Sequence, residues 1–182
     1  MTEKKELFGP EEIGRAIERM TEAIVRDFAA SDGNFALIGL HTQGVPLACR
    51  LANAIELRTG RRPQLGTLDI SMYRDDVGQR SALPLIRETE IYFSVDDAQV
   101  ILVDDVLSTG RTIRAALDAL TDYGRPALIR LAVLVDRGNP EYPIRADYTG
   151  LRADSCGNKK ILVEFTDTDG ADRISAVDWK RQ

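Results

Sequence analysis

Residues 100–112, Val100-Ile101-Leu102-Val103-Asp104-Asp105-Val106-Leu107-Ser108-Thr109-Gly110-Arg111-Thr112, decide how the rest of this chain is read. The unbroken apolar run Val100 to Val103 is a short buried strand, and it delivers Asp104 and Asp105 to its carboxyl end. Ser108-Thr109-Gly110 then turns the chain into a helix. The free N–H groups and positive dipole end of such a helix receive anions; Gly110 lets the backbone come close to a phosphate, and Ser108, Thr109 and Thr112 add hydroxyl donors. A phosphate monoester fits there without a lysine. Two carboxylates facing that phosphate would repel it, so Asp104 and Asp105 are expected to face hydroxyl groups, such as those of a ribose, or a cation-linked part of the same ligand. Paired aspartates can also cap a helix, but a cap does not need two consecutive carboxylates at the end of a buried strand.

Outward from this segment, strand and helix patterns alternate. Ile13, Ile17, Met20, Ile24 and Phe28 recur at helical spacing between Pro10 and about Ala29, and Pro10 suits a first helical position. Ser31 to Asn34 reads as a turn, Phe35 to Leu40 as a buried strand, and Val45 to Arg58 as a second helix. Leu65 to Tyr73 is strand-like. Arg74 to Glu90 carries charge, Gly78 and Pro84 without a period, the mark of a long loop. Gln99 to Asp105 is the next strand, Thr109 to Tyr123 a helix ended by Gly124, and Ala127 to Val135 a third central strand. The pattern predicts an α/β fold, an open and mainly parallel sheet flanked by helices, with its ligands outside the carboxyl ends of the strands. Beyond Asp136 only short strands are expected, at Tyr142 to Thr149, Ile161 to Phe165 and Ile174 to Val177, forming a small carboxyl-terminal hood. A single domain over 1–182 follows, with a core at about 10–136 and a hood at about 137–182.

Composition narrows the class. A chain of 182 residues, 43% hydrophobic, buries a core of ordinary size without disulfides or a structural metal. No apolar run is long enough to span a bilayer, and the amino terminus lacks a signal-like apolar region. Cys49 and Cys156 stand far apart outside any CxxC pattern, which points to reduced thiols and a cytoplasmic protein. The formal net charge of -5 excludes a generally basic nucleic-acid binder, though not a local basic face.

The segment matches neither the dinucleotide G-x-G-x-x-G nor the G-x-x-x-x-G-K-[ST] phosphate loop. It resembles the 5-phosphoribosyl-1-pyrophosphate (PRPP) signature of type I phosphoribosyltransferases. Taken with GLHTQG (39–44), DISMYRDD (69–76), LAVLVDRG (131–138) and PIRADYTG (143–150), the chain resembles the pyrimidine operon attenuation regulator and uracil phosphoribosyltransferase family (PyrR), over about Ile13 to Phe165. The resemblance implies that Asp104, Asp105, Leu107, Ser108, Thr109, Gly110, Arg111 and Thr112 hold the ribose and 5′-phosphate of PRPP or UMP. It also makes Thr42, Gln43 and Gly44 the pyrophosphate loop. Where the family usually carries arginine, Gln43 keeps hydrogen-bonding capacity without the charge. Arg74, with Asp104 and Asp105, is expected to be catalytic, reaching pyrophosphate when the loop from Tyr73 folds over PRPP; Arg80 reads equally as a solvated loop charge. Asp136 and Arg137 face the base or the pyrophosphate, and alternatively form a strand-end ion pair. His41, the only histidine, has no chemical role assigned.

The implied reaction joins uracil to PRPP, giving UMP and pyrophosphate, with Mg²⁺ held by pyrophosphate oxygens, ribose hydroxyls and water and without direct protein ligands. Backbone groups between Gly138 and Phe165 are expected to read uracil. Some purine-using relatives carry an aspartate where this chain has Ser108, which disfavours a purine. The family also implies UMP-responsive binding to pyrimidine operon leader RNA. In this chain Glu11, Glu18 and Glu22 alternate with Arg15, Arg19 and Arg26 on the first helix, a mixed surface and no basic stripe; Arg145, Arg152, Lys159 and Lys160 are the other candidate cations. A phosphoribosyltransferase for another base, without RNA binding, is the alternative. A homo-oligomer without membrane contact is expected.

Overall fold

The structure is a computed structural model and describes residues 4–28, 35–73, 87–154 and 159–178. A strand β1 (Lys4–Phe8) leads into helix α1 (Pro10–Phe28), strand β2 (Phe35–Leu40) and helix α2 (Gly44–Thr59). Strands β3 (Gln64–Leu68) and β4 (Gln99–Leu107) follow, then helix α3 (Arg111–Leu120) and strands β5 (Leu128–Asp136) and β6 (Tyr148–Arg152). Strand β7 (Lys159–Glu164), the single turn α4 (Thr166–Asp169) and strand β8 (Arg173–Asp178) complete the order.

Five strands in the order β3-β2-β4-β5-β6 form an all-parallel sheet. β4 lies at its centre, and residues there point alternately to the two faces. Ile101 and Val103 join Leu37 and the inward residues of α1 and α2, including Ile13, Met20, Ile24, Leu47, Leu51 and Ile55. Val100 and Leu102 join Ile38, Leu40 and Leu131 against Ile113, Ala116 and Leu120 of α3. Strands covered on both faces must be apolar throughout, which is why they read as continuous runs. Each fully buried Leu or Ile contributes about 1.5–3 kcal/mol of burial, so these two layers hold the strand ends rigid. No helix among the described residues is long and apolar enough to cross a membrane.

Several boundaries differ from the sequence reading. The segment assigned to the hood at Tyr142 to Thr149 instead feeds β6, which pairs in parallel with β5 (Ala132 with Tyr148, Asp136 with Arg152). The parallel sheet therefore runs past residue 136 to Arg152. The hood is a separate antiparallel sheet, β1-β8-β7, and draws one strand from the other end of the described chain, with Lys4 opposite Val177. The third strand is shorter than expected, because Asp69 to Tyr73 leaves the sheet in a turn closed by the Tyr73 N–H on the Ile70 carbonyl (3.0 Å). α3 starts at Arg111 instead of Thr109, and Gly110 adopts a left-handed backbone (φ 90°) ahead of it.

The hood shares the core of the sheet: Ile161, Val163, Phe165, Ile174 and Ala176 pack in the same buried cluster as α1 and α2. Arg50 of α2 fastens it from outside, with a bidentate pair to Asp172 (2.7 and 2.8 Å), a bond to Asp167 (2.9 Å) and its guanidinium 4.6 Å from the Phe165 ring centre. The Asp172 carboxyl falls to about 2, chiefly through the Arg50 hydrogen bond, which prevails over burial. Cys49 is a free thiol; Cys156 and the turn Ser31 to Asn34 lie outside the described residues.

Candidate active site

The carboxyl ends of β2, β4 and β5 are neighbours in the sheet, so three loops remote in sequence meet along one edge. From β4, Asp104 is 4% exposed and its Oδ1 accepts the Asp105 N–H at 3.0 Å. Burial drives the Asp105 carboxyl above the usual aspartate range; the hydrogen bond with Asp104 and the charge of Lys160 on β7 act against the rise. Two adjacent acidic groups at one strand end, Asp104 buried and Asp105 half-buried, are costly to the fold. Such a cost fits a site whose ligand supplies hydroxyl donors to the carboxylates.

Downstream, Leu107 turns into the core (3% exposed), and its carbonyl accepts the Arg137 N–H from the end of β5 (3.0 Å). Leu107 thus belongs to this loop through its backbone. Arg137 Nη1 donates to the Ser108 hydroxyl at 3.1 Å, and Asp136 Oδ1 takes the Gly138 N–H at 2.8 Å. The Thr109 carbonyl accepts the Glu141 and Tyr142 N–H groups (2.9 and 3.1 Å), which draws the segment after β5 over the turn. A side chain at Gly110 would meet Tyr142 and Ile144, at 3.2 and 3.5 Å. Arg111 reaches outward to Glu141 (2.8 Å) and lies over the Tyr142 ring. The N-cap residue Gly110 has no side chain to offer α3, and the Thr109 hydroxyl accepts the Arg111 N–H at 3.4 Å, a helix start suited to receive an anion.

The second loop leaves β2 through His41, whose peptide bond to Thr42 is cis. Gly44 is pressed against β4: a Cβ there would lie 2.3 Å from the Val103 carbonyl oxygen and 3.2 Å from Asp104 Cα. Only glycine brings this loop so close to the aspartate pair. α2 likewise begins without a side-chain cap, and Gln43 turns away to the hood, where Nε2 donates to Asp169 at 2.9 Å. His41 Nε2 lies 3.1 Å from the Glu88 carbonyl oxygen.

The structure therefore gathers Thr42, Gln43, Gly44, Asp104, Asp105, Ser108, Thr109, Gly110, Thr112, Asp136 and Arg137 on one edge, while Arg111 is turned to Glu141. Arg74, Asp75, Asp76 and Arg80 lie outside the described residues. Three contributors escaped the sequence reading. Lys160, grouped there with surface cations, acts on half-buried Asp105. Asp169 binds the 41–44 loop. Asp69 accepts the Ser71 N–H and hydroxyl (2.8 and 2.6 Å) and the Arg87 N–H (2.5 Å). Burial raises the Asp69 carboxyl, but these hydrogen bonds prevail and hold it below its usual range. The D-x-S spacing of an Asx turn at Asp69-Ile70-Ser71 was the available signal for that anchor.

Comparison with known proteins agrees with this architecture. The phosphoribosyl transferase domain model matches residues 4–169. The Bifunctional protein PyrR of Deinococcus radiodurans is 47% identical over 175 residues, covering 96% of this chain and 95% of the relative. That of Thermus aquaticus is 45% identical over 179 residues, covering 98% and 97%. Among solved structures, the hypoxanthine phosphoribosyltransferase of Trypanosoma cruzi superposes with a TM-score of 0.69 at 20% identity, covering 95% of each chain. The hypoxanthine-guanine phosphoribosyltransferase of Bacillus anthracis superposes at 0.70 with 15% identity, covering 96% and 99%, so both share the fold. A sheet edge with two helix starts around an aspartate pair, together with full-length relatives of this identity, places the chain in the PyrR family of type I phosphoribosyltransferases.

Proposed function

We propose that this protein transfers the 5-phosphoribosyl group of PRPP to uracil, giving UMP and pyrophosphate, and uses the same nucleotide site to regulate pyrimidine-operon transcription through leader RNA. The observation that carries the reading is the pairing of the Asp104–Asp105 strand end, with Asp104 buried and Asp105 half-buried, with two helix starts whose N-cap residues make no side-chain cap. That arrangement suits a ribose with phosphate at one end and pyrophosphate at the other.

In this reading, Asp104 and Asp105 accept the ribose 2′ and 3′ hydroxyls and stabilise positive character at C1. The α3 N–H groups, with the Ser108, Thr109 and Thr112 hydroxyls, hold the 5′-phosphate. Thr42, Gln43 and Gly44 receive the pyrophosphate, and Arg74 meets it from the following segment. The ring nitrogen of uracil bonds to C1 as the C1–O bond to pyrophosphate breaks, and the proton on that nitrogen passes to water or to the departing pyrophosphate. Asp136 and Arg137 border the base or the pyrophosphate. The carboxylates and hydroxyls at the strand ends are hard oxygen donors, a fit to magnesium accompanying PRPP, with Asp104 and Asp105 holding it through ribose hydroxyls and water. When bound, magnesium offsets charge on the leaving pyrophosphate. A homo-oligomer in the cytoplasm is part of the same proposal.

The regulatory role rests on relatives named bifunctional. Cations of α1 are engaged within the protein: Arg15 with Glu11 (3.6 Å) and Arg19 with the Gly150 carbonyl (2.8 Å), while Glu22 pairs with Arg58 (3.0 Å). Lys159 pairs with Asp178 (3.4 Å). Exposed Arg145, just before β6, and Arg152, its last residue, are therefore the cations to test against RNA. Incubation of the protein with PRPP, Mg²⁺ and a panel of bases tests the enzymatic reading: UMP forms with uracil, and preferential use of guanine, hypoxanthine or orotate would overturn it. Binding of leader RNA, strengthened by UMP and weakened by salt, tests the regulatory one; no binding at low salt defeats it.

A further inference from the structure

Gln43 makes a contact that the transfer reaction does not call for. Its Nε2 donates to Asp169 Oδ2 at 2.9 Å, and the Thr168 hydroxyl lies 3.4 Å from its Oε1. The same Asp169 oxygen takes the Thr168 hydroxyl at 2.6 Å and the Phe165 N–H at 3.0 Å, so the carboxylate is pinned in place beside the loop. Those bonds, from Thr168 first and then from the Phe165 N–H, hold the Asp169 carboxyl below the ordinary aspartate range. It is therefore charged throughout the neutral range.

The loop does not depend on this tether for its shape. Gly44 lodges it against the Val103 carbonyl from the core side, the His41 N–H bonds to the Leu68 carbonyl (3.2 Å), and the Leu47 N–H bonds to the Gln43 carbonyl (3.3 Å). What the tether changes is chemistry. It engages one of the two N–H donors of the Gln43 amide and turns that side chain toward the hood, and it sets a negative charge beside a loop that has to receive an anion.

Building on the phosphoribosyltransferase reading, we propose that Asp169 is a positioning residue that restrains Gln43 and lowers the affinity of the 41–44 loop for the pyrophosphate end of PRPP. The hood thereby sets how tightly the leaving group is held. Asp169 does so without touching the reacting atoms.

The test uses the whole protein and Asp169→Asn, which removes the charge and keeps an acceptor oxygen for the Phe165 N–H. Dissociation constants for PRPP and inorganic pyrophosphate are measured by calorimetry at low and high salt, beside KM values for PRPP and uracil. Both dissociation constants are expected to fall by about three- to tenfold at low salt, with the difference narrowing as salt rises. The KM for PRPP falls in step, while the KM for uracil stays put. In a Gln43→Ala background the Asp169→Asn effect shrinks, because the restrained amide is gone. Should Asp169→Asn not fold, Gln43→Arg offsets the same carboxylate from the loop side and must also tighten pyrophosphate. Unchanged or weaker pyrophosphate binding in a folded variant, or an equal shift in the KM for uracil, overturns the inference while UMP formation by the wild type stands. A wild type that does not bind PRPP overturns the phosphoribosyltransferase reading, and this inference with it.

Discussion

The loop at 108–112 and the loop at 41–44 both leave a parallel strand and both enter a helix whose N-cap residue makes no side-chain cap, yet different side chains meet them. Around the first, Arg137 donates to Ser108, and the segment bearing Glu141 and Tyr142 is drawn over the turn. Beside the second, the side chain that could reach an anion is bonded to the carboxylate of Asp169. Under the proposed assignment of these loops to the two ends of PRPP, one backbone device serves two purposes. An end of the substrate that remains on the product is best held firmly, whereas an end that departs is best held loosely, since binding shared by ground and transition states does not speed the chemical step.

The severest challenge to the comparison removes what both loops share. Replacing the pair together, Asp104→Asn with Asp105→Asn, is expected to lower kcat/KM by about a thousandfold, equivalent to about 4 kcal/mol, read by UMP formation. Next, Gly44→Ala puts a methyl group 2.3 Å from a backbone oxygen that cannot swing aside. A loss of about 3 kcal/mol in urea unfolding follows, whereas a comparable strain at 108–112 is not created by Ser108→Ala.

Arg50→Ala unfastens the hood from α2 and should cost about 2 kcal/mol, seen as a lower midpoint in thermal unfolding. The Asp172 part of it, about 1–2 kcal/mol once solvent screening is allowed for, has a defined pH dependence. Because the folded carboxyl is depressed, that stability is present above the ordinary aspartate range and is lost as pH falls through about 2. A pH titration of the unfolding midpoint in wild type and Arg50→Ala checks it: the two curves converge in acid.

Ser108→Ala removes one hydroxyl and the partner of Arg137, so PRPP binding weakens by about fivefold, near 1 kcal/mol, by calorimetry. Smallest is a stability change at Asp105. Its carboxyl is raised in the folded state, so its ionisation disfavours folding, and stability declines as pH rises from the ordinary aspartate range through the folded value. Asp105→Asn alone should then melt a few degrees higher at neutral pH while losing activity. A lower melting point would show that Lys160 compensates the buried charge.

What could be read in the sequence was whatever is local. The run Val100 to Val103 and the spacing of Ile13, Ile17, Met20 and Ile24 report their own environment, because a strand covered on both faces and a helix with one covered face each leave a period. Lys4–Phe8 leaves no such mark: its burial is partial, and its reason for being a strand is β8, at the other end of the described chain. Tyr148–Arg152 was assigned to the hood for a similar reason, since five residues do not reveal which neighbour they will pair with. Within the site, the strand-end aspartates and the turn at Ser108 were legible as types in a pattern. The Asp169–Gln43 contact and the influence of Lys160 on Asp105 were not, because each joins residues brought together only when the hood closes on the sheet.

That closure carries a consequence for synthesis. All five strands of the parallel sheet are available once Arg152 has left the ribosome, but Lys4 cannot pair until Val177 has emerged as well. Contacts so distant along a chain form late and slowly. A nascent molecule therefore passes through a stage with its sheet built and its hood missing, when Gln43 has no Asp169 to hold it and the apolar flank that Phe165 will cover faces the cell. Ligand present at that stage would meet an unrestrained 41–44 loop, and a chaperone would find its target on the same side.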